Sequence, residues 1–163
     1  MKIGILSDSH DHLDNVQKAI DLFQEKGVSV IIHAGDIVSP QVLNPFKDCG
    51  MKLEGIFGNN DGEKLGLAKR FDKVGGTLHG DFADVEAGGL RFGVYHGTSH
   101  ALLVSVIASG IYDVVVSGHT HKSVNRHEGR TLVLNPGSVH GFRQPGTVML
   151  FDTGSRQAEL VEL

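Results

Sequence analysis

The first half of this 163-residue chain alternates short apolar runs with segments of helical periodicity. The runs KIGILS, VSVIIHA and MKLEGIFG predict three strands, at residues 2–7, 28–34 and 51–58. Apolar residues at the spacing of one helix face follow the first run, and Gly27 ends that helix. Strands that alternate with helices pair in parallel, and their carboxyl ends carry any functional site. This alternation restricts the fold more than any other feature of the sequence.

In the second half, paired strands replace most of the helices. One helix is expected at 99–110 and one strand at 112–118, and hairpins are expected at 81–96, 124–135 and 147–163. No linker, repeat or low-complexity segment separates the halves. We therefore predict an α/β fold of two packed sheets with helices outside, in a single domain spanning residues 1–163.

The composition restricts the class of protein. Hydrophobic residues make up 40% of the chain and charged residues 21%, which is typical of a globular protein. No apolar run could cross a bilayer, and no signal-peptide pattern is present, so we expect no membrane association. The single cysteine, Cys49, rules out an internal disulfide framework and favours a cytoplasmic location. A net charge of −4 without basic clusters argues against binding duplex nucleic acid.

Polar residues of metal-binding type follow several of the predicted strands, and the chain contains ten histidines. The segments are SDSH, HAGD, GNND, YHG and GHTH. In extended backbone, residues two apart point to the same side, so Asp8 and His10 can converge, as can His119 and His121. The candidate ligands are Asp8, His10, Asp36, Asn59, His96, His119 and His121.

These donors indicate a particular class of metal. Imidazoles and carboxylates with one neutral oxygen donor suit Mn²⁺, Fe²⁺, Zn²⁺ or Ni²⁺. A structural zinc site is disfavoured because no thiolate is among them. Seven ligands exceed what one ion needs, so we predict two ions that share a bridging carboxylate. Ions paired about 3.5–4 Å apart are a known device for hydrolysing phosphoesters.

The order of these motifs resembles that of the calcineurin-like metallophosphoesterases. The matching motifs are DSH at 8–10, GD at 35–36, GNND at 58–61, HG at 96–97 and GHTH at 118–121. The compact length, the DGEK that follows GNN and the LNPGS at 134–138 are similar to the small YfcE-type phosphodiesterases. The resemblance implies the metallo-dependent phosphatase fold, in which two mixed β-sheets pack as a sandwich flanked by helices.

The resemblance also implies a ligand assignment, with Mn²⁺ as the favoured metal. One ion takes Asp8, His10, Asp36 and His121. The other ion takes Asp36, Asn59, His96 and His119. Asp36 is then the bridging carboxylate, and a hydroxide that bridges the two ions is the expected nucleophile.

Asn60 departs from the common family pattern. Many relatives carry a histidine here, which is thought to protonate the leaving alkoxide, and an amide cannot do this near neutral pH. Asn60 can still donate an N–H to a phosphate oxygen, so we expect modest activity that depends on the leaving group. His12 and His100 are the nearest alternative acids in sequence, although His12 fits an exposed position in the first helical turn.

Three other residues have two interpretations each. Arg143 suits either a clamp on the substrate phosphate or a surface salt bridge. His33 suits either a residue that orients a ligand carboxylate or a satisfied core histidine. Asp61 either caps the helix that follows it or orients Asn60, and the cap is favoured because Asp is common at that position.

The leading hypothesis is a binuclear metal-dependent phosphodiesterase that acts on a small phosphodiester. A phosphomonoesterase is one alternative. Another is a non-catalytic interaction module, like the retromer subunit of this fold, whose ligands are degraded. All seven ligand positions hold competent donors here, which favours an enzyme. The chain has no tryptophan and no base-stacking motif, so the sequence does not identify the substrate. Relatives often form a homo-oligomer, although nothing in the chain indicates its oligomeric state.

Overall fold

The computed structural model describes residues 1–163, which form two packed β-sheets with three α-helices and one 3₁₀ helix. In chain order the elements are β1 Lys2–Leu6, α1 Leu13–Glu25, β2 Val30–His33, the 3₁₀ helix Pro40–Phe46, β3 Lys52–Gly55, α2 Lys64–Lys73, β4 Thr77–Leu78, β5 Phe82–Ala87, β6 Leu90–Tyr95, α3 His100–Ala108, β7 Val114–Val116, β8 Val124–Glu128, β9 Thr131–Asn135, β10 Thr147–Asp152 and β11 Gln157–Glu162.

Both sheets are mixed. The first has the order β11-β10-β1-β2-β3-β4, with β1 to β4 parallel and β10 and β11 added in antiparallel fashion. The second has the order β5-β6-β7-β9-β8, with β6, β7 and β9 parallel and an antiparallel strand at each edge. The predicted sandwich of two mixed sheets flanked by helices is therefore confirmed.

The core has two main layers. Inward-facing side chains of both sheets form one buried cluster, which includes Ile3 and Ile5 from β1 and Phe92 from β6. The next residues along β1 and β2 point outward, where a second cluster joins them to α1, the 3₁₀ helix and α2. This alternation follows from the two-residue period of a strand. Helix α3 covers the far face of the second sheet, where Ile107 packs on Val115.

The structure differs from the sequence predictions in a few places. Strand β4 was not predicted, because two residues give too short a pattern to detect. Helix α2 begins at Lys64, and its N-cap is Glu63, which makes no side-chain capping bond. The favoured role of Asp61 as a helix cap is therefore wrong, and its actual contacts are described below. None of the helices has the length and apolar character needed to span a bilayer.

Candidate metal centre

The predicted ligands follow parallel strands of both sheets. Asp8 follows β1, Asp36 follows β2, His96 follows β6 directly, and His121 lies in the loop after β7. Carboxyl ends of parallel strands share one edge of a sheet, and the two edges meet here. The side chains of the two sheets therefore converge on a single site.

The backbone at these positions is not extended, contrary to the reasoning from residue spacing. Asp8, His10, Asp36, His119 and His121 all have φ between 39° and 66°. This left-handed region is uncommon for residues other than glycine, and such strained residues cluster at functional sites. The expected convergence of Asp8 with His10 thus has a different cause. A sharp turn of the loop, and not strand alternation, directs the side chains inward.

One side of the centre is formed by His10 and His121 around Asp8. His121 Nε2 lies 3.1 Å from Asp8 Oδ1. His10 Nε2 lies 3.8 Å from Asp8 Oδ1 and 3.4 Å from Asp36 Oδ2. The proximity of Asp8, with a smaller contribution from Asp36, raises the pKa of His10 despite its burial. Asp8, His10 and His121 each offer a ligand atom within 4.8 Å of the others.

His96 and His119 form the other side. His96 Nε2 lies 3.4 Å from Asp36 Oδ2 and 4.0 Å from Asp8 Oδ1. His96 Nδ1 lies 2.7 Å from the carbonyl oxygen of Ala34. A carbonyl only accepts hydrogen bonds, so Nδ1 carries the proton and Nε2 is left to bind a cation. The ring of His119 packs edge-on against that of His96, with centroids 5.3 Å apart.

Three buried atoms at the point of convergence have no hydrogen-bond partner in the chain. They are Asp8 Oδ1, His10 Nε2 and His96 Nε2; His121 Nε2 lies 3.1 Å from the first of these atoms but not in hydrogen-bonding geometry. A buried polar atom without a partner is costly, and native structures rarely leave one unexplained. A carboxylate oxygen and two imidazole nitrogens directed at one point fit a divalent cation. The donor set therefore fits a divalent metal ion.

Asp36 lies between the two sides. Its Oδ1 accepts the backbone N–H of Asn60 at 2.8 Å, and its Oδ2 accepts the Asn60 side-chain amide at 2.7 Å. Burial alone would raise the pKa of Asp36, but His96 and the Asn60 donors outweigh it and hold the pKa below its ordinary value. Asp36 is therefore ionised and fixed in orientation. The Asn60 amide keeps one N–H free, since only one is used here.

Two other predicted site residues are less tightly held. Asn59 is exposed, and its Oδ1 accepts a hydrogen bond from Thr98 Oγ1 at 3.4 Å, in the loop that follows His96. Asn59 thus lies next to the loop that carries His96. Arg143 is exposed, lines a cleft of about 410 Å³ that opens beside His121, and does not take part in the ion pairs of the chain. The surface salt bridge is therefore absent.

Two glycines of the motifs are required for close packing. A Cβ atom at Gly58 would collide with the carboxylate of Asp36. A Cβ atom at Gly118 would collide with Ser7 and with the carboxylate of Asp8. Because both residues lack a side chain, the loops that carry them can pack directly against the carboxylates of Asp36 and Asp8.

Asp61 is a buried anchor that joins two of the ligand loops. Its Oδ1 accepts the backbone N–H groups of Ile37 and Val38, and its Oδ2 accepts those of Asp36 and Gly58. Burial raises the pKa of the Asp61 carboxyl in spite of these four donors. Asp61 therefore fixes the loop that carries Asp36 against the loop that carries Asn59. The sequence contains no signal for this role apart from the position of Asp61 directly after GNN.

Asp61→Asn should lower the free energy of unfolding by about 2–5 kcal/mol. The amide keeps one acceptor oxygen, so two of the four buried N–H groups would face an NH₂ group instead. Urea denaturation of the metal-free protein measures the change. Asp48→Asn is the matched control, because that carboxylate is 88% exposed and should change the stability by less than about 0.5 kcal/mol. Equal effects of the two substitutions would contradict the anchoring role.

Two other buried polar residues, His33 and Asn135, support the loops of the site. His33 lies 3.0 Å from Ser9 Oγ, and its Nδ1 accepts the backbone N–H of Gly35, while burial lowers its pKa to about 4. His33 is therefore neutral and satisfied, and it holds the loop between two ligands. Asn135 donates to the carbonyl of Gly118 at 2.8 Å and so holds the GHTH loop. The LNPGS segment was the only signal for this residue.

Comparison with known proteins agrees with this arrangement. Residues 1–156 match the model of the calcineurin-like phosphoesterase superfamily domain. The chain is 39% identical over 159 residues to Phosphodiesterase MJ0936 of Methanocaldococcus jannaschii, and the match covers 96% of each chain. A solved structure described as a novel archaeal phosphodiesterase is 38% identical, with a TM-score of 0.95 and full coverage of both chains.

More distant solved structures share the fold alone. YfcE, a phosphoesterase from E. coli, is 19% identical with a TM-score of 0.71, and the match covers 99% of each chain. A Vps29 mutant from Entamoeba histolytica is also 19% identical, with a TM-score of 0.73, and covers 100% of this chain and 99% of its own. The family match, the 39% identity and the convergent ligands lead to one conclusion: the chain belongs to the calcineurin-like phosphoesterase superfamily.

Proposed function

We propose that this protein is a binuclear metal-dependent phosphodiesterase that hydrolyses a small phosphodiester. The observation that carries the proposal is the set of three buried ligand atoms without partners, which converge from both sheets. A chain that did not bind cations would gain nothing from burying two imidazole nitrogens and a carboxylate oxygen without hydrogen-bond partners. The 39% identity to a protein named a phosphodiesterase supports the choice of a diester.

Each residue has a defined part in this proposal. Asp8, His10 and His121 hold one ion, Asn59, His96 and His119 hold the other, and Asp36 serves both. When bound, the two ions supply a water of lowered pKa and positive charge next to the phosphate oxygens. Asn60 keeps Asp36 in position with one amide N–H and offers the second N–H to a phosphate oxygen. Arg143, which lines the cleft beside His121, would contact a phosphate oxygen of the substrate.

The site has no identified acid that could protonate the leaving group. His12, considered as a replacement acid, is the N-cap of α1, and its Nδ1 accepts the backbone N–H of Asn15. His100 is exposed at the first position of α3. We therefore expect substrates with good leaving groups, such as nitrophenyl esters, to react fastest.

Hydrolysis of bis(p-nitrophenyl) phosphate should require added Mn²⁺ or Ni²⁺ and should disappear with a chelator. The reason is that water is the expected nucleophile, and the ions are expected to lower its pKa. The metal content of the purified protein, measured beside the assay, should rise toward two ions per chain. Fe²⁺ and Zn²⁺ are compared under the same conditions.

A parallel assay with a monoester distinguishes a phosphodiesterase from a phosphomonoesterase. p-Nitrophenyl phosphate should be hydrolysed more slowly than the diester under one metal, and faster hydrolysis would instead indicate a phosphomonoesterase. Cleavage that does not depend on metal would exclude the proposed function, and so would the absence of cleavage with every metal tested. The absence of cleavage would favour an interaction module, a role that no specific feature of the site supports.

Three further expectations from the sequence remain proposals. We expect one domain over residues 1–163, a cytoplasmic location, and self-association of the kind common among relatives. The first is supported by ligands drawn from both halves of the chain.

A further inference from the structure

Phe142 is exposed although it lies beside the metal centre. The other seven phenylalanines of the chain are buried or half-buried, whereas 52% of the surface of Phe142 is accessible. It lies in the loop after β9, on the wall of the cleft that opens next to His121. Single exposed apolar residues are common, so the significance of this ring depends on its contacts.

The ring of Phe142 contacts the imidazoles of one side of the centre. It stacks on His121 with centroids 4.7 Å apart and an interplanar angle of 14°. It also meets the edge of His10 at 5.2 Å. Its other ring neighbour, at 4.1 Å, is His140, which is not a predicted ligand. Offset stacking at these separations is the favoured geometry for aromatic pairs.

The two sides of the centre differ in how their imidazoles are held. His96 is buried, and its Nδ1 is fixed by the carbonyl of Ala34. The side chain of His121 is 35% exposed, and its polar contact within the chain is the carboxylate of Asp8. A metal-binding imidazole normally needs a second contact to fix its ring plane. For His121, the stack with Phe142 is the contact that does so.

The loop holds Phe142 in a conformation that bulky residues avoid. Its φ is +52°, in the left-handed region. Its backbone N–H donates to His140 Nδ1 at 2.9 Å. The same loop is tied to the main chain of Asp8, whose carbonyl accepts from Ser138 Oγ and from the His140 N–H. The ring of Phe142 and the backbone of Asp8 are thus parts of one connected unit.

We propose that Phe142 is a positioning residue that fixes the ring plane of His121, and that it sets the affinity of the ion on the His10 side alone. This inference rests on the proposed binuclear function. The ion held by His96 and His119 should be indifferent to Phe142, because the ring contacts neither imidazole. The two sites of the centre therefore differ in strength, and the more exposed one depends on an aromatic ring.

The test is calorimetric titration of Mn²⁺ into the metal-free protein, with a count of bound ions after gel filtration. Phe142→Asn removes the ring but suits the left-handed backbone, since asparagine tolerates that region. We expect the wild type to bind two ions. In the variant, one ion should bind as before and the other about 10-fold more weakly or not at all, within the range seen when imidazole support is lost.

Three controls make the result specific. Phe142→Tyr keeps the stack and should restore wild-type binding, whereas Phe142→Leu keeps bulk without a flat ring and should not. Leu102→Ala, at an exposed site on α3, should have no effect. Equal weakening of both ions, or no change in either, would overturn the inference while leaving the binuclear function intact. A wild type that binds fewer than two ions would overturn both.

Discussion

Asp36→Asn should reduce hydrolysis of bis(p-nitrophenyl) phosphate by roughly 10³-fold or more, above the 10–100-fold typical of residues that only support a ligand. Asp36 Oδ2 lies 3.4 Å from both His10 Nε2 and His96 Nε2, so this oxygen faces both ion positions. Its amide replacement has no charge, and its NH₂ group must face either both ion positions or the backbone N–H of Asn60. The substitution should therefore weaken both ions at once.

His119→Ala provides a partner experiment, since it removes a ligand of one ion only. It should also abolish activity, while the protein should still bind the ion on the His10 side. Metal counts and kcat measured on both variants separate loss of an ion from loss of folding, with circular dichroism as the check on folding. Activity within tenfold of the wild type in both variants would rule out the binuclear assignment.

Asn60→His should accelerate hydrolysis of diesters with alkyl leaving groups by about 10²-fold, the lower end of what a positioned acid contributes. The backbone N–H of residue 60 would still donate to Asp36 Oδ1, so the loop should keep its place. The new imidazole would supply the proton that an alkoxide needs on departure. Nitrophenolate needs no such proton, and hydrolysis of its esters should change little.

The pH profile distinguishes this acid from a general improvement of the site. With an alkyl diester, the rate of the variant should fall as the pH rises above about 6.5, where an unperturbed histidine loses its proton. Asn60→Ala is the matched control, because it removes the amide without adding an acid, and it should slow both classes of substrate. Equal acceleration of both substrates by Asn60→His would refute the missing-acid explanation.

Much of the architecture could be predicted because its signals are local. The periodicity of each strand and helix lies within a few neighbouring residues, and the three hairpins and α1 occur where the pattern indicates. Strand β4 was missed because Thr77 and Leu78 alone carry no period. Helix α2 begins at Lys64 with Glu63 as its N-cap, because the carboxylate of Asp61, the expected cap, is used elsewhere.

The role of Asp61 could not be read from the sequence. An Asp before a helical segment is usually a cap, and that local preference is sound on average. Here the carboxylate turns away from the helix and accepts the N–H of Asp36, 25 residues earlier in the chain. A buried set of backbone donors offers more stabilisation than a solvent-exposed helix end, so the tertiary contact prevails. Phe142 was overlooked for a related reason, since a lone aromatic in a turn has no pattern.

The sequence by itself determined which candidate donors the chain offers and that they follow the strands, because residue type and apolar periodicity are properties of short segments. The tertiary structure alone decided how each donor is held. The N–H of His119 donates to Asp8 Oδ2 across 111 residues, and Ser138 donates to the Asp8 carbonyl across 130. Left-handed turns at Asp8 and Asp36, and the stack of Phe142 on His121, depend on such distant contacts. Local preferences cannot specify them, because their stabilising partners come together only when the two sheets pack.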